Sequence, residues 1–295
     1  MQRDEGSSSS SAALSASEVR GGATADLTPA DPLSAEPQAA ATAAELATLD
    51  AELCLARPDE VRMIAEMKAL LGTDELAAAA PRSEQPDVTG DLRFLRFLRS
   101  RSHDVPLAAE AMRAMLLWRA ANHIDRTIRP GCLGKPLTEA SLPHADAIAE
   151  LQGPINVGST RDGHIISISL DGAGDPTILL ETVSEDDLRL FFRTFFELRM
   201  MVMDAETRRR RSVVRCLQIR DLGGAGLHLL RHSGAVMILK KILGEALNNY
   251  PESTHCVLFL NTPSVFTAIW AIIKPMLCAV SIDFTRFDYW FLTCG

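Results

Sequence analysis

The chain has 295 residues, of which 47% are apolar and 23% charged, and its formal net charge at pH 7 is −8. This size and composition are typical of a globular protein of one or two domains. The negative balance excludes a general attraction to nucleic acid and leaves any membrane contact to a local apolar or basic patch. Six cysteines are scattered without a C-x-x-C pair, which favours reduced thiols in the cytosol over a zinc site.

Residues 1–42 have the composition of a disordered tail, either inert or regulatory. They contain the serine run Ser7–Ser11 and many alanines, but almost no large apolar residue. Such a segment cannot bury enough surface to offset the entropy of ordering it. Met1–Ser11 also lacks the apolar run of a signal peptide, so we expect a cytoplasmic protein.

A helical unit is predicted over residues 43–128. Apolar residues recur there at helical spacing, Gly72 ends one helix, and Asp104 is placed to cap another. Proline and glycine between Pro130 and Pro136 mark a connector after the unit. The predicted helices are Ala43–Arg57, Pro58–Leu71, Asp91–Arg101 and Val105–Ile124.

Residues 150–295 are predicted to form an α/β domain, because strand and helix patterns alternate. We expect a mixed or parallel sheet covered by helices. Ser184 with Asp187 resembles the start of a helix. The predicted strands are His164–Leu170, Ser212–Ile219 and His255–Leu260, and two further helices are predicted at Leu227–Asn248 and Ser264–Leu277.

The segment Ser264–Leu277 is the most informative, because it has no polar face. A helix that is apolar all round is either buried on all sides or in contact with lipid. It is therefore either a core helix or a lid over an apolar cavity. Four of its large apolar residues recur at i, i+3, i+4 and i+7 and share one face. The residues expected to line a cavity are Val265, Phe266, Ile269, Trp270 and Ile273.

Patterns that would indicate an enzyme are incomplete. The turn Asp221–Gly226 follows a strand, but Leu229 stands where a dinucleotide-binding motif has its third glycine, so a tight turn without phosphate is favoured. The histidines at 228, 232 and 255 form no known metal motif and are interpreted as surface or packing residues. The basic run Arg208–Arg211 is interpreted as a solvated turn before a strand, although it could contact acidic lipid heads. Arg93, Arg96 and Arg99 recur every three residues and are interpreted as a solvated or ion-paired helix face. We expect no catalytic residue, no metal and no cofactor other than a bound lipid.

Several short segments form a recognisable series along the chain. In the N-terminal part they are Leu92–Arg101, His103–Val105 and Trp118-Arg119, and in the α/β part they are Asp162-Gly163-His164, Asp221-Leu222-Gly223, Tyr250-Pro251-Glu252, Asn261-Thr262-Pro263 and Lys274-Pro275. In their order and spacing, these segments together resemble the CRAL-TRIO family over about residues 89–277.

The resemblance implies an apolar pocket closed by a gate helix, here Ser264–Leu277, that carries a lipid without transforming it. Glu252 matches an acid that contacts phosphoinositide head groups, and Arg101 matches a basic residue that closes over the phosphate. Cys216 and Gln218 stand where choline-lipid carriers have serine and threonine. Phosphatidylinositol is one candidate cargo. The implied partners are a phospholipid or other hydrophobic ligand and, transiently, a membrane, with no obligate protein partner.

The segment Cys278–Gly295 departs from the family pattern. Either this tail substitutes for a missing strand or the domain is incomplete at its C-terminal end, with an open sheet edge. Two other functions remain alternatives at this point. One is a degenerate module that docks a membrane or a protein without cargo, and the other is a nucleotide-dependent enzyme that uses the glycine turn.

Overall fold

The computed structural model describes residues 55–74, 76, 87–138, 141–152, 157–172, 174, 180–224, 226, 233–263, 266, 270–271 and 290–292. Its helices are α1 (Pro58–Leu71), α2 (Asp91–Ser100), α3 (Val105–Ala121), α4 (Arg129–Cys132), α5 (Ala145–Gln152), α6 (Glu185–Arg210) and α7 (Ser233–Asn249). A π-helical turn, Ile124–Ile128, joins α3 to α4. Within these residues, no helix combines the length and the apolarity that a membrane span requires.

The strands form one sheet in the order β1 to β5. They are β1 (Gly158–Ser159), β2 (Ile165–Ser169), β3 (Cys216–Asp221), β4 (Thr254–Leu260) and β5 (Trp290–Leu292). β1 pairs antiparallel with β2, and the remaining neighbours pair in parallel. The predicted α/β class with a mixed sheet and covering helices is therefore confirmed. β5 lies in the divergent C-terminal tail, so this tail supplies a strand at the sheet edge.

The helical layer α1–α3 follows from local signals in the sequence. Pro58 begins α1, and Gly72 ends it at a φ of 78°, a conformation that glycine adopts without strain. The Asp104 carboxylate accepts a hydrogen bond from the Leu107 amide, as the capping prediction requires. The predicted helix Val105–Ile124 ends three residues early, at Ala121, because the π-helical turn begins at Ile124.

The basic face of α2 is ion-paired but not solvated. Arg93 and Arg96 are 1% and 0% exposed, and both donate to the Asp204 carboxylate of α6, at 3.2 and 2.9 Å. Arg99 donates to Glu60 at 2.9 Å. Of the two interpretations of this face, ion pairing is confirmed for Arg93 and Arg96, which are buried because this face of α2 packs against α6.

The arginine run Arg208–Arg211 was wrongly interpreted as a turn. Arg208, Arg209 and Arg210 form the last turn of α6, and Arg211 ends the helix at a φ of 51°. Buried Met203 and Thr207 hold the helix against the core up to this point. Basic residues at a helix C-terminus and the acidic residues 185–187 at its N-terminus both interact favourably with the helix dipole.

The strand predicted at Ser212–Ile219 begins and ends later in the structure, as β3 (Cys216–Asp221). The amides of Ser212 and Val214 donate to the Thr207 carbonyl and hydroxyl oxygens, and so complete the end of α6. Sheet pairing therefore begins at Cys216 and extends to Asp221.

Several predictions lie outside the described residues. They concern the tail 1–42, residues 43–54 of the first predicted helix, residues 227–232 of the helix Leu227–Asn248, and most of Ser264–Leu277.

Candidate functional site

One face of the sheet, here called the inner face, carries the pocket residues that the sequence predicts on β3. Side chains alternate along a strand, so Cys216, Gln218, Arg220 and Leu222 share this face. In the parallel register, Ser167 of β2 lies beside Gln218, and Val257 of β4 lies on its other side. The inner face therefore includes polar as well as apolar groups.

The carboxyl end of the inner face is covered by an apolar cluster. Phe259 of β4 packs against Leu222 and against the two described large residues of the predicted gate helix. Its ring centroid lies 4.9 Å from Phe266 and 5.9 Å from Trp270, and these two rings are 6.0 Å apart. Phe266 is 6% exposed, whereas Trp270 is half-buried. The predicted pocket residues Val265, Ile269 and Ile273 lie outside the described residues.

The amino end of the inner face belongs to the main core. Ile165 and Cys216 are fully buried there, in the same cluster as Phe195 and Phe196 of α6. Burial raises the pKa of the Cys216 thiol, so that it remains protonated at neutral pH. Cys216 thus acts as a small neutral group.

Polar side chains separate the two apolar clusters on the inner face. The Gln218 amide nitrogen donates to the Thr254 hydroxyl at 3.0 Å, and its oxygen accepts from Arg220 at 3.4 Å. Arg220 in turn forms an ion pair with Asp171, with an Nε–Oδ2 distance of 2.6 Å. We call Gln218, Arg220, Asp171 and Thr254 the polar band.

Glu252 has its described contacts at the amino ends of the strands and not in the polar band. Its carboxylate lies 3.3 Å from the Arg215 guanidinium, and its carbonyl oxygen accepts from Arg96 at 3.0 Å. The residue has a φ of 54°, which is a strained conformation for a side chain of this size. Arg215 directly precedes Cys216, so strand alternation turns their side chains to opposite sides.

Arg101 follows the last residue of α2, and its described hydrogen bonds go to the carbonyl and hydroxyl oxygens of Ser100. Burial lowers the pKa of its guanidinium. The four residues that the sequence assigns to a lipid head group therefore have separate described surroundings. Cys216 and Gln218 share the inner face, whereas Glu252 and Arg101 make contacts elsewhere.

A basic cavity that the sequence did not predict lies at the amino ends of β2 and β3. It has a volume of about 410 Å³ and is lined by Leu55, Arg99, His164, Arg211, Ser212, Val213 and Arg215. No single motif indicates it, because its residues come from four separate segments. Arg215 links the cavity to Glu252.

Two histidines stack beside this cavity. The rings of His164 and His255 lie 4.1 Å apart at an angle of 28°. Burial, together with the nearby His255 and Arg215, lowers the pKa of His164 to about 4. Both rings are therefore neutral at pH 7, and His255 is an exposed residue that stacks on His164.

The glycine turn after β3 is filled by the protein's own groups. The Asp221 carboxylate accepts from the Gly223 amide and from the Asn261 side chain, each at 2.8 Å. A Cβ atom added at Gly172 would clash with the Gly223 carbonyl oxygen. Two backbone segments thus approach closely here, which explains the glycines without a bound phosphate.

The inner face as a whole has the composition that an amphiphilic molecule requires. Apolar side chains at both ends offer surface that water solvates poorly, and the polar band between them offers hydrogen-bond donors and acceptors.

Residues 160–288 match the CRAL/TRIO domain. Protein real-time of Aedes aegypti is 27% identical over an alignment of 195 residues that covers 62% of this chain and 27% of that protein. Patellin-4 of Arabidopsis thaliana is 27% identical over 188 residues, or 63% of this chain and 31% of the relative. The phosphatidylinositol/phosphatidylcholine transfer protein SFH7 of the same plant is 25% identical over 188 residues, or 62% and 32%. The matched stretch thus spans about a quarter to a third of these curated relatives.

The crystal structure of Sfh5 has a similar fold. The TM-score is 0.50 at 15% sequence identity, and the similarity covers 81% of this chain and 82% of Sfh5. At this identity the likeness concerns the fold alone.

Proposed function

We propose that this chain, whose residues 160–288 match the CRAL/TRIO domain, binds a single phospholipid or other hydrophobic lipid and transfers or presents it at membranes. The observation that carries this proposal is the inner face of the sheet, where two apolar clusters flank the polar band. The name of SFH7 states that it transfers phosphatidylinositol and phosphatidylcholine, which supports a cargo of this class.

The hydrophobic effect suffices for such a function. Enclosing two acyl chains removes several hundred Å² of apolar surface from water, at about 25 cal/mol per Å². The reverse step becomes feasible when the chains can move directly into a bilayer, because the bilayer offers an equally apolar environment. Carriage of this kind needs no catalytic group, and we propose that the protein acts without one, in the cytoplasm and in transient contact with membranes.

Phe266 and Trp270 are proposed as part of the gate. Both contact Phe259 on the inner face, so the segment that carries them covers the carboxyl end of that face. Trp270 is half-buried, and its ring combines an apolar body with a polar N–H, which suits a boundary between cavity and bilayer. Val265, Ile269 and Ile273 complete the proposed gate.

Two head-group regions are proposed. Cys216 and Gln218 lie on the inner face, and Gln218 is the stronger hydrogen-bonding group of the two. Glu252 lies next to Arg215 and the basic cavity, and Arg101 is proposed to act with it. A lipid head at the amino ends of the strands would meet three arginine side chains of the cavity wall, which favours an anionic head there.

Lipid extraction from Glu252→Ala tests the second region. If Glu252 contacts a head group, the variant should retain a different set of lipids while its melting temperature changes little. Glu185→Ala is the control, because Glu185 forms an exposed ion pair with Lys241 at the N-terminal end of α6, whereas the basic cavity begins where that helix ends. A uniform loss of all lipids together with unfolding would contradict the head-group role.

The alternative of a nucleotide-dependent enzyme predicts binding at the glycine turn. The Gly223 amide already donates to Asp221, so it is not available to a phosphate. A thermal-shift screen with nucleotides should therefore show no stabilisation. Stabilisation by several degrees would favour the enzyme instead.

A further inference from the structure

Arg199 of α6 is a positively charged side chain in a buried position beside the proposed lipid pocket. It is 6% exposed. Its guanidinium carbon lies 4.9 Å from the Phe195 ring centroid and 5.3 Å from that of Phe196. The guanidinium also lies beside the Cys216 thiol of β3. Arg199 is therefore directed towards the inner face, at the amino end of the polar band.

The other arginines buried along this helix have carboxylate partners. Arg93 and Arg96 share Asp204, and Arg119 and Arg129 share Glu197. Arg220, which is partly exposed on the inner face, pairs with Asp171. Carboxylates thus neutralise these four buried arginines.

Arg199 differs from these arginines. Within the described part of the chain, no carboxylate lies within ion-pair distance of its guanidinium, and it donates no hydrogen bond to an oxygen atom. Its neighbours are two aromatic rings, a neutral thiol, the Tyr250 side chain and the cation of Arg220. Two ring faces compensate only part of the lost hydration of a guanidinium, and a thiol is a weak acceptor.

Loss of a proton does not remove the buried charge of Arg199. Burial and the nearby Arg220 charge lower the pKa of Arg199. Arginine nevertheless remains protonated in proteins, because its ordinary pKa lies so far above neutral pH. Among the described residues, this buried positive charge therefore has no carboxylate counter-charge.

We infer that Arg199 is the anion-binding residue of the pocket and that the bound lipid carries an acidic group, a carboxylate or a phosphate, which lies against its guanidinium. The inference rests on the proposed function and narrows its cargo to acidic lipids. A carboxylate or a phosphate would accept two parallel N–H hydrogen bonds from the guanidinium fork. The adjacent Phe195 and Phe196 rings would exclude water from this contact and strengthen it.

Competition between matched lipids tests the inference. Oleic acid and oleyl alcohol share one chain but differ in charge, and dioleoyl phosphatidic acid and dioleoylglycerol form a second pair of this kind. The full chain is incubated with vesicles that contain both members of a pair, and native mass spectrometry gives the ratio bound. We expect the acidic member to be preferred at least about tenfold, which corresponds to about 1.4 kcal/mol. The pair with the larger ratio identifies the acidic group as a carboxylate or a phosphate.

Variants of Arg199 test whether the preference for the acidic lipid depends on this residue. Arg199→Met keeps most of the side-chain volume without the charge, so the acidic and the neutral member of each pair should bind about equally. Arg199→Lys keeps a cation and should retain part of the preference. Arg193→Met is the control on the same helix, because Arg193 pairs with Glu245, and it should leave the preference unchanged. Lipid-free Arg199→Met should melt no lower than the wild type, since it loses an uncompensated charge, whereas loss of a structural ion pair would lower its melting temperature.

Three outcomes contradict the inference. Equal binding of the acid and the alcohol by the wild type would exclude an anion subsite and leave the lipid-carrier function in place. An unchanged preference in Arg199→Met would assign the charge selectivity to other residues. Binding of none of the four lipids would contradict the carrier function itself. If Arg199→Met does not fold, the wild-type ratios and Arg199→Lys still decide.

Discussion

Replacing Glu197 with glutamine should destabilise the fold more than any single charge loss at its surface. The Glu197 carboxylate accepts two hydrogen bonds of 2.9 Å from Arg119, one of 2.6 Å from Arg129 and one of 3.0 Å from the Tyr250 hydroxyl. Its side chain and those of both arginines are 1% exposed. Burial alone would raise the pKa of Glu197, but the two guanidinium groups hold it well below its usual range.

The expected loss of unfolding free energy follows from the two buried arginines that the substitution leaves in place. Glu197→Gln keeps the shape of the side chain and removes its charge, so Arg119 and Arg129 lose a shared counter-charge in a buried site. Removing one partner from a buried ion pair costs about 3–5 kcal/mol. Asp125 and Asp87 still neutralise the two arginines in part, so we expect the lower end of this range, about 3 kcal/mol.

Urea denaturation followed by circular dichroism measures this loss. The matched control is Glu245→Gln, because Glu245 also binds two arginines, Arg189 and Arg193, but in a partly exposed site. Exposed pairs of this kind contribute about 0.2–1 kcal/mol. Equal losses of unfolding free energy in the two variants would refute the argument that burial makes the Glu197 network important.

Three further predictions concern the gate, the histidine stack and a helix cap. Trp270→Ala should slow lipid transfer between vesicles and leave most of the stability in place, whereas a loss of 3–5 kcal/mol with unchanged transfer would show a core residue. The folded-state pKa of His164, about 4, lies below its ordinary value of 6.5, so the unfolded chain binds more protons between these values and stability should fall as the pH drops through this window. His164→Gln should flatten this part of the urea-midpoint profile and His123→Gln, at an exposed position, should not; equal slopes in all three proteins would show that the histidine stack does not contribute. Asp104→Ala should cost about 1 kcal/mol in the same assay, because the Leu107 amide loses its acceptor, and an unchanged midpoint would show that the cap is not needed.

Features that local chemistry determines could be predicted from the sequence. The bounds of α1, the caps at Asp104 and Ser184 and the fold class follow from short patterns. The inner-face position of Gln218 follows from strand alternation alone. Long-range pairing could not be predicted in the same way. The partner of Arg96, for example, is Asp204, 108 residues further along the chain.

The candidate site also contains both residues that local patterns predict and residues that come together only through long-range packing. Cys216 and Gln218 lie two residues apart on one strand, so strand alternation alone places them on one face. The basic cavity was missed, because Arg99 and Arg215 meet only once α2 and β3 are packed. Arg199 was missed because it lies within the apolar pattern of α6. An arginine among Phe195, Phe196 and Met200 is a signal in itself, since a charge within an apolar helix pattern is rare.

The most direct test of the account is to identify what the folded protein carries. The full chain is purified without detergent, its intact mass is recorded by native mass spectrometry, and the bound molecules are extracted and identified. The account predicts one lipid per chain, enriched in acidic species relative to the lipids of the expression host. A folded protein that carries no lipid and takes up none from vesicles of phosphatidylcholine, phosphatidylinositol and phosphatidic acid would contradict it.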